Sequence, residues 1–231
     1  MKILSVLHFH RIIKNNDVYL VTFLNHMNIH YRETYNSEQD LWQAFLSSDK
    51  NAFACLFENY ADAMYAYGCK MTPDRELVKD VIQDVFVKLY NNRQNLRDNV
   101  SIKAYLFTAV KRTLLNVFQA QRNLSINNAE NIQFELEQIS MDSYDDGSSK
   151  YDDEVRQQLA KALEQLSPRQ KEAIYLYYIQ EIPLNEIPLL LEMNYQSTRN
   201  LIHRAITKLR EYMAPTSSVS MYALLAQYLA K

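Results

Sequence analysis

From Ser37 onward, apolar side chains recur three and four positions apart, the period that buries one stripe of an amphipathic helix. The pattern comes in two blocks. The first predicts helices over Ser37–Ser48, Asn51–Met71, Pro73–Asn91 and Ser101–Arg122, with a polar loop at Asn92–Val100. The second predicts Glu154–Leu166, Pro168–Gln180, Leu184–Leu191 and Tyr195–Met213. Local punctuation agrees with these starts. Ser37 precedes Asp40 by three positions, the spacing of a helix N-cap with an acidic first turn. Thr72-Pro73 places a capping side chain before a first-turn proline, and Ser167-Pro168 adds Gln170 as a capping-box partner. Residues 1–36 show no such period. After the polar stretch Ala214–Ser218, a short stripe of Met221, Leu224, Leu225, Tyr228 and Leu229 closes the chain.

Composition narrows the class. There are two glycines in 231 residues, Gly68 and Gly147, and five prolines. An all-α protein is expected, built of two small helical domains joined by an acidic flexible linker. A phosphate-cradling loop or dinucleotide fingerprint needs several close glycines, and none can be written here. The domains are expected at 37–123 and 154–213, with 124–153 as linker, 214–231 as tail and 1–36 as a weakly structured N-terminus. Met27 offers a second start, so translation is expected to begin there rather than at Met1.

The net charge of −2 hides a division. Nine acids and one lysine between Leu124 and Glu154 give that stretch −8, which leaves +6 on the rest. Such a segment buries too little apolar surface to offset its ordering entropy. It is expected to fold over basic surfaces on either side. Cys55 and Cys69 lie fourteen positions apart on one predicted helix, too far to pair, and read as reduced thiols. No apolar run reaches a membrane span, and His8, His10 and Arg11 interrupt any signal core. A cytoplasmic protein is expected.

The predicted last long helix has two unlike faces. Thr198, Leu201, Ile202, Ala205, Ile206 and Leu209 share an inward stripe. Gln196, Arg199, Asn200, His203 and Thr207 fall opposite, flanked by Arg204, Lys208 and Arg210. No acid stands between Met193 and Arg210. With a short helix just before it, this is the outline of a helix-turn-helix whose second helix suits the major groove. An ordinary solvated face is the competing reading. Pro188 is tolerated only in a first turn, so the preceding helix is expected to start near Asn185 or to bend. Glu192 occupies the turn, where a left-handed backbone would cost a glutamate more than a glycine, so a different turn geometry is expected.

Four motifs in this order resemble the extracytoplasmic-function (ECF) sigma factors of the sigma-70 superfamily, bacterial transcription initiation factors. The resemblance spans roughly Phe53–Tyr212. Asp80-Val-Ile-Gln-Asp-Val-Phe-Val-Lys-Leu-Tyr90 is similar to the helix that docks on the clamp helices of the polymerase beta-prime subunit. It implies Asp80, Gln83 and Asp84 as polymerase contacts, with Phe86 and Leu89 turned inward. The segment Lys103–Arg112, continuing to Asn116 and Arg122, resembles the helix that binds the non-template strand of the minus-ten element. The resemblance implies contacts from Asn92, Arg93, Arg97, Lys103, Tyr105, Lys111, Arg112 and Asn116, with a base captured by the loop Asn91–Ser101. Tyr105 stands where many members have Trp, and Arg112 where many have Asn, which leaves base preference open. Tyr105 as a plain core residue also stays open.

Leu163-Glu-Gln-Leu-Ser-Pro-Arg-Gln-Lys-Glu-Ala173 is similar to the entry into sigma region 4. The segment Glu186–Ala205 matches its helix-turn-helix and implies minus-thirty-five contacts from Gln196, Ser197, Arg199, Asn200, His203, Arg204 and Lys208. Implied partners are core RNA polymerase (beta-prime clamp helices and beta flap), promoter DNA and an anti-sigma factor, often membrane-anchored. No cofactor, metal or small-molecule substrate is implied. The alternative is a helix-turn-helix regulator acting without core polymerase. Catalysis is not expected: the carboxylate pairs Asp145-Asp146 and Asp152-Asp153 sit in the linker, not on a rigid scaffold.

Overall fold

The computed structural model describes residues 35–98, 100–124, 134–136 and 150–213. The expectations for the N-terminus through residue 34, for most of the linker and for the tail from residue 214 lie outside these residues. Among the described residues the structure is helical, without strands. The described residues divide into two compact units, the first within residues 35–67 and 76–114, the second within 68–75 and 115–213.

In the first unit, α1 (Glu38–Leu46) starts at Ser37, whose hydroxyl accepts the Asp40 N–H at 3.0 Å. The spacing of Leu41, Trp42 and Phe45 puts all three into the core. Helix α2 (Lys50–Cys69) and α3 (Arg75–Asn91) follow, then a single 3-10 turn (Arg93–Asn95) and α4 (Ile102–Leu124), whose residues from 115 on belong to the second unit. Aromatic rings knit the core. Phe53 stacks on Phe45 at 5.9 Å and meets Phe86 and Tyr90 edge-on, while Tyr67 lies 4.9 Å from Phe107. The Tyr60 hydroxyl donates to the Glu38 carboxylate and pins α2 to the first turn of α1.

In this unit one start departs from expectation by two positions. Helix α3 begins at Arg75, not Pro73. The Thr72 hydroxyl accepts the Asp74 N–H two residues on, at 3.2 Å, so it caps a turn ahead of the helix instead of the helix itself.

In the second unit, α5 (Lys150–Glu164) starts four positions before the expected Glu154, inside the stretch read as linker, and leads to α6 (Pro168–Ile174), α7 (Ile187–Leu191, three positions later than the expected Leu184) and α8 (Tyr195–Tyr212). The capping box at Ser167 forms in full: its hydroxyl accepts the Gln170 N–H, and the Gln170 side chain accepts the Ser167 N–H. The expected helix to Gln180 does not stay α-helical. It widens into a π turn over Tyr175–Ile179, with the Gln180 N–H donating to the Tyr175 carbonyl five residues back. Glu172 through Leu176 are buried in unbroken succession, more than one face of an α-helix would allow. The Gln180 amide then donates to the Tyr175 hydroxyl at 2.8 Å.

Pro188 does sit in the first turn of α7, which starts at Ile187. Glu192 takes the left-handed conformation (φ 52°, ψ 48°) that glycine usually supplies. Contrary to expectation, the helix-turn-helix keeps the usual turn geometry with a glutamate in it. Arg169 donates to the Leu191 carbonyl and ties α6 to the end of α7. Helix α8 packs on α5, α6 and α7 through Thr198, Ile202, Ala205, Ile206 and Leu209, all buried.

Candidate functional site

Three exposed surfaces carry the residues singled out from the sequence. On α3, Val78, Val81, Ile82, Val85, Phe86 and Leu89 are buried. The register leaves Asp80 and Asp84 exposed and Gln83 half-buried between them. An acidic, hydrogen-bonding face is thus held rigid by the apolar one behind it, which suits a basic protein surface.

On α4, Tyr105, Arg112 and Asn116 recur at i, i+7 and i+11 and share one stripe. Arg112 and Asn116 are exposed. Lys103 and Lys111 are half-buried and fall off that stripe. The Tyr105 ring lies 6.1 Å from Trp42, and burial pushes its phenol pKa up. Tyr105 is therefore both part of the packing and partly open to the stripe.

The loop before α4 is more constrained than its composition suggests. Asn92 and Arg97 are exposed, but Arg93 is already engaged. Its guanidinium lies over the Tyr90 ring at 4.3 Å and donates to the Ser48 hydroxyl and the Tyr90 carbonyl. Further along, the Trp42 indole N–H donates to the Arg97 carbonyl at 2.9 Å. The Gln39 and Gln43 amides both donate to the Asp98 carbonyl, at 2.6 and 2.9 Å. Reading the sequence missed these three residues of α1. Their i, i+3, i+4 spacing on one face was the available signal.

On α8, Gln196, Arg199, Asn200, His203 and Arg204 are exposed and Ser197 is half-buried. Asn194 caps the helix, its side chain accepting the Ser197 N–H at 2.7 Å. The Gln196 amide donates to the Asn200 side chain at 3.1 Å, so the two polar groups are set relative to one another before any ligand arrives. Lys208 stands apart from this group: its ammonium donates to the Gln165 carbonyl beyond the C-terminus of α5. The Tyr212 hydroxyl donates to the Gln165 side chain, so the same loop holds the far end of α8 twice.

Among the described residues, no cluster of three His, Cys, Asp or Glu side chains converges as metal ligands would. Among the same residues, no helix is long and apolar enough to cross a membrane.

Comparison with known proteins bears on these surfaces. Residues 56–123 match sigma-70 region 2, and residues 156–209 match sigma-70 region 4. The RNA polymerase sigma factor YlaC of Bacillus subtilis is 24% identical over 159 residues, spanning 68% of this chain and 90% of YlaC. The ECF RNA polymerase sigma factor SigX of Bacillus subtilis is 19% identical over 164 residues, spanning 71% of this chain and 84% of SigX. Among solved structures, the sigma factor RpoE of Bartonella quintana, in complex with the anti-sigma factor NepR, has the same fold. It superposes with a TM-score of 0.51 at 18% identity, covering 71% of this chain and 98% of RpoE.

Proposed function

The chain belongs to the ECF sigma factors of the sigma-70 superfamily, and on that premise we propose how its surfaces divide the work of promoter recognition. Asp80, Gln83 and Asp84 on α3 dock on the beta-prime clamp helices of core RNA polymerase. The loop residues Asn92 and Arg97, with Tyr105, Arg112 and Asn116 on α4, hold the non-template strand of the minus-ten element. Lys103 and Lys111, half-buried and off that stripe, add positive charge near the strand rather than direct contacts. Gln196, Ser197, Arg199, Asn200, His203 and Arg204 on α8 read the minus-thirty-five element in the major groove. Arg93 and Lys208, expected at the DNA, act first as structural ties, because their cationic groups already have partners in the fold.

The domains follow the same division. Residues 37–123 serve docking and the minus-ten element, residues 154–213 serve the minus-thirty-five element, and 124–153 tether the two. The protein has no catalytic step of its own: the polymerase makes the RNA, and this chain selects where. It works in the cytoplasm, where polymerase and promoters are. An anti-sigma factor occludes its faces until needed, and the relative solved with NepR supports a partner of that kind.

One observation carries the reading. A single chain holds an exposed acidic face on α3 and an exposed hydrogen-bonding face with basic side chains on α8, each backed by a buried apolar stripe. A regulator acting alone needs the second face and has no use for the first. The test is co-purification of the Asp80→Lys/Asp84→Lys variant with core polymerase. Both positions are exposed, so the fold should persist. Loss of association with retained helicity is expected. Wild-type association would overturn the docking assignment.

A further inference from the structure

Three donors on one face of α1 converge on two consecutive carbonyls of the loop before α4. Trp42 is fully buried, and its indole N–H reaches the Arg97 carbonyl. Gln39 and Gln43 stand on the surface one turn apart, and their amides share the Asp98 carbonyl. A carbonyl oxygen has two lone pairs, so one acceptor can take both. These bonds span more than fifty positions of sequence and join a helix to a segment with no regular structure of its own. Arg93, stacked on Tyr90 and bonded to Ser48, fastens the start of the same loop.

Surface loops of this kind are ordinarily mobile, and a mobile loop loses binding energy to ordering when it captures a ligand. Here the ordering is supplied in advance. The bonds use backbone carbonyls, so the side chains of Asn92 and Arg97 stay exposed for a partner. Within unit 1, the Tyr105 ring meets the same Trp42 that holds the loop, so one indole fixes both the loop backbone and the first turn of α4.

We propose that Gln39, Trp42 and Gln43 are positioning residues for minus-ten recognition. They act through the Arg97 and Asp98 carbonyls to hold the loop in the shape that captures the extruded base. This rests on the promoter-recognition reading above and adds a part of the chain outside the matched region 2 segment, which begins at residue 56.

The test uses full-length protein assembled with core polymerase. In the Gln39→Met/Gln43→Met variant the side-chain length is kept and both donors are removed at exposed positions. Initiation is measured on a promoter used by the wild type and on the same promoter with single-base changes in the minus-ten element. Discrimination between the two is expected to fall about tenfold, the loss of two ordinary hydrogen bonds at roughly 1 kcal/mol or less each. Association with core polymerase and dependence on the minus-thirty-five element should not change. Unchanged discrimination would overturn the proposal. An equal loss in core association, discrimination and melting temperature would overturn it too, since that marks a merely structural role. If the double variant folds poorly, Gln43→Met alone supports the same comparison, with about a threefold loss expected for one hydrogen bond. Failure of the underlying reading looks different: the wild-type protein itself would give no minus-ten-dependent initiation.

Discussion

The ring of Phe134 lies 5.6 Å from the ring of Tyr175, and Phe134 is buried although it comes from the acidic stretch between the two helical blocks. The neighbouring contacts explain how an acid-rich segment docks there. The Glu135 N–H donates to the Lys70 carbonyl at 2.8 Å, and the Glu135 carboxylate pairs with Lys171 at 2.8 Å. The Lys70 ammonium lies over the Tyr175 ring, 5.2 Å from its centroid. One aromatic side chain, one backbone bond and one ion pair thus anchor Phe134 and Glu135.

Most of that anchoring energy belongs to the ring. Phe134→Ala should lower the stability of the second unit by about 1.5–3 kcal/mol, the value of burying such a side chain. Glu135→Gln should cost at most about 1 kcal/mol, because the carboxylate is half exposed and the pair is screened. Urea unfolding of the two variants checks the order. A larger loss for Glu135→Gln would contradict it.

Lys208 and Arg199 sit on the same helix but should respond differently to truncation. Lys208→Met removes the donor to the Gln165 carbonyl and should cost about 0.5–1.5 kcal/mol of stability. It should leave the salt dependence of DNA binding unchanged. Arg199→Ala should leave stability within about 0.5 kcal/mol and cost about 1–3 kcal/mol of binding at matched sites. Melting curves and binding titrations over a range of salt separate the two roles.

Glu192 holds a left-handed backbone that costs a residue with a side chain roughly 1–2 kcal/mol. Glu192→Gly removes that strain and gives part of it back as chain entropy in the unfolded state. A net gain of about 0.5–1 kcal/mol is expected by thermal unfolding. A loss would mean that the glutamate side chain contributes contacts of its own.

High pH should weaken the second unit through Tyr175. Burial pushes its phenol up to about 12, the Gln180 hydrogen bond partly opposes the rise, and the nearby Cys69 adds to it. The unfolded chain ionises near the ordinary tyrosine value of about 10. The folded state therefore keeps its proton longer. Stability is full below pH about 10 and falls by about 2–3 kcal/mol as pH rises toward 12. Tyr60 is pushed up as well, by burial first and then by its bond to Glu38 and that carboxylate's charge, and it adds to the alkaline loss in the first unit. Chemical unfolding at several alkaline pH values should show a shallower slope in Tyr175→Phe.

The helical framework was legible because burial imposes a period on the sequence. Thr198, Ile202, Ala205, Ile206 and Leu209 announce the inner face of α8, and its outer face follows by subtraction. The proline at position 188 signalled that α7 starts late, since it fits only a first turn, but the observed start at Ile187 is later than the expected Leu184 or Asn185. What was not legible involves backbone acceptors. Nothing in Gln39 or Gln43 says that its amide ends on the Asp98 carbonyl, because every residue offers the same carbonyl. The π turn was hidden too: Tyr-Leu-Tyr-Tyr-Ile has the same apolar character whether the bonds close over four residues or five. The charge of Arg93 and Lys208 is visible in the sequence, but the hydrogen bonds each makes within the fold are not.

The central claim is that this chain reads two promoter elements while docked on polymerase. Reconstituted initiation tests it most directly. Purified protein and core RNA polymerase are incubated with a genomic template, and transcript starts are mapped. Discrete starts, each preceded by two shared sequence blocks, are expected, and Asp80→Lys/Asp84→Lys should abolish them all. Tight binding to duplex DNA without any chain-dependent start would contradict the claim and favour a regulator that acts without polymerase.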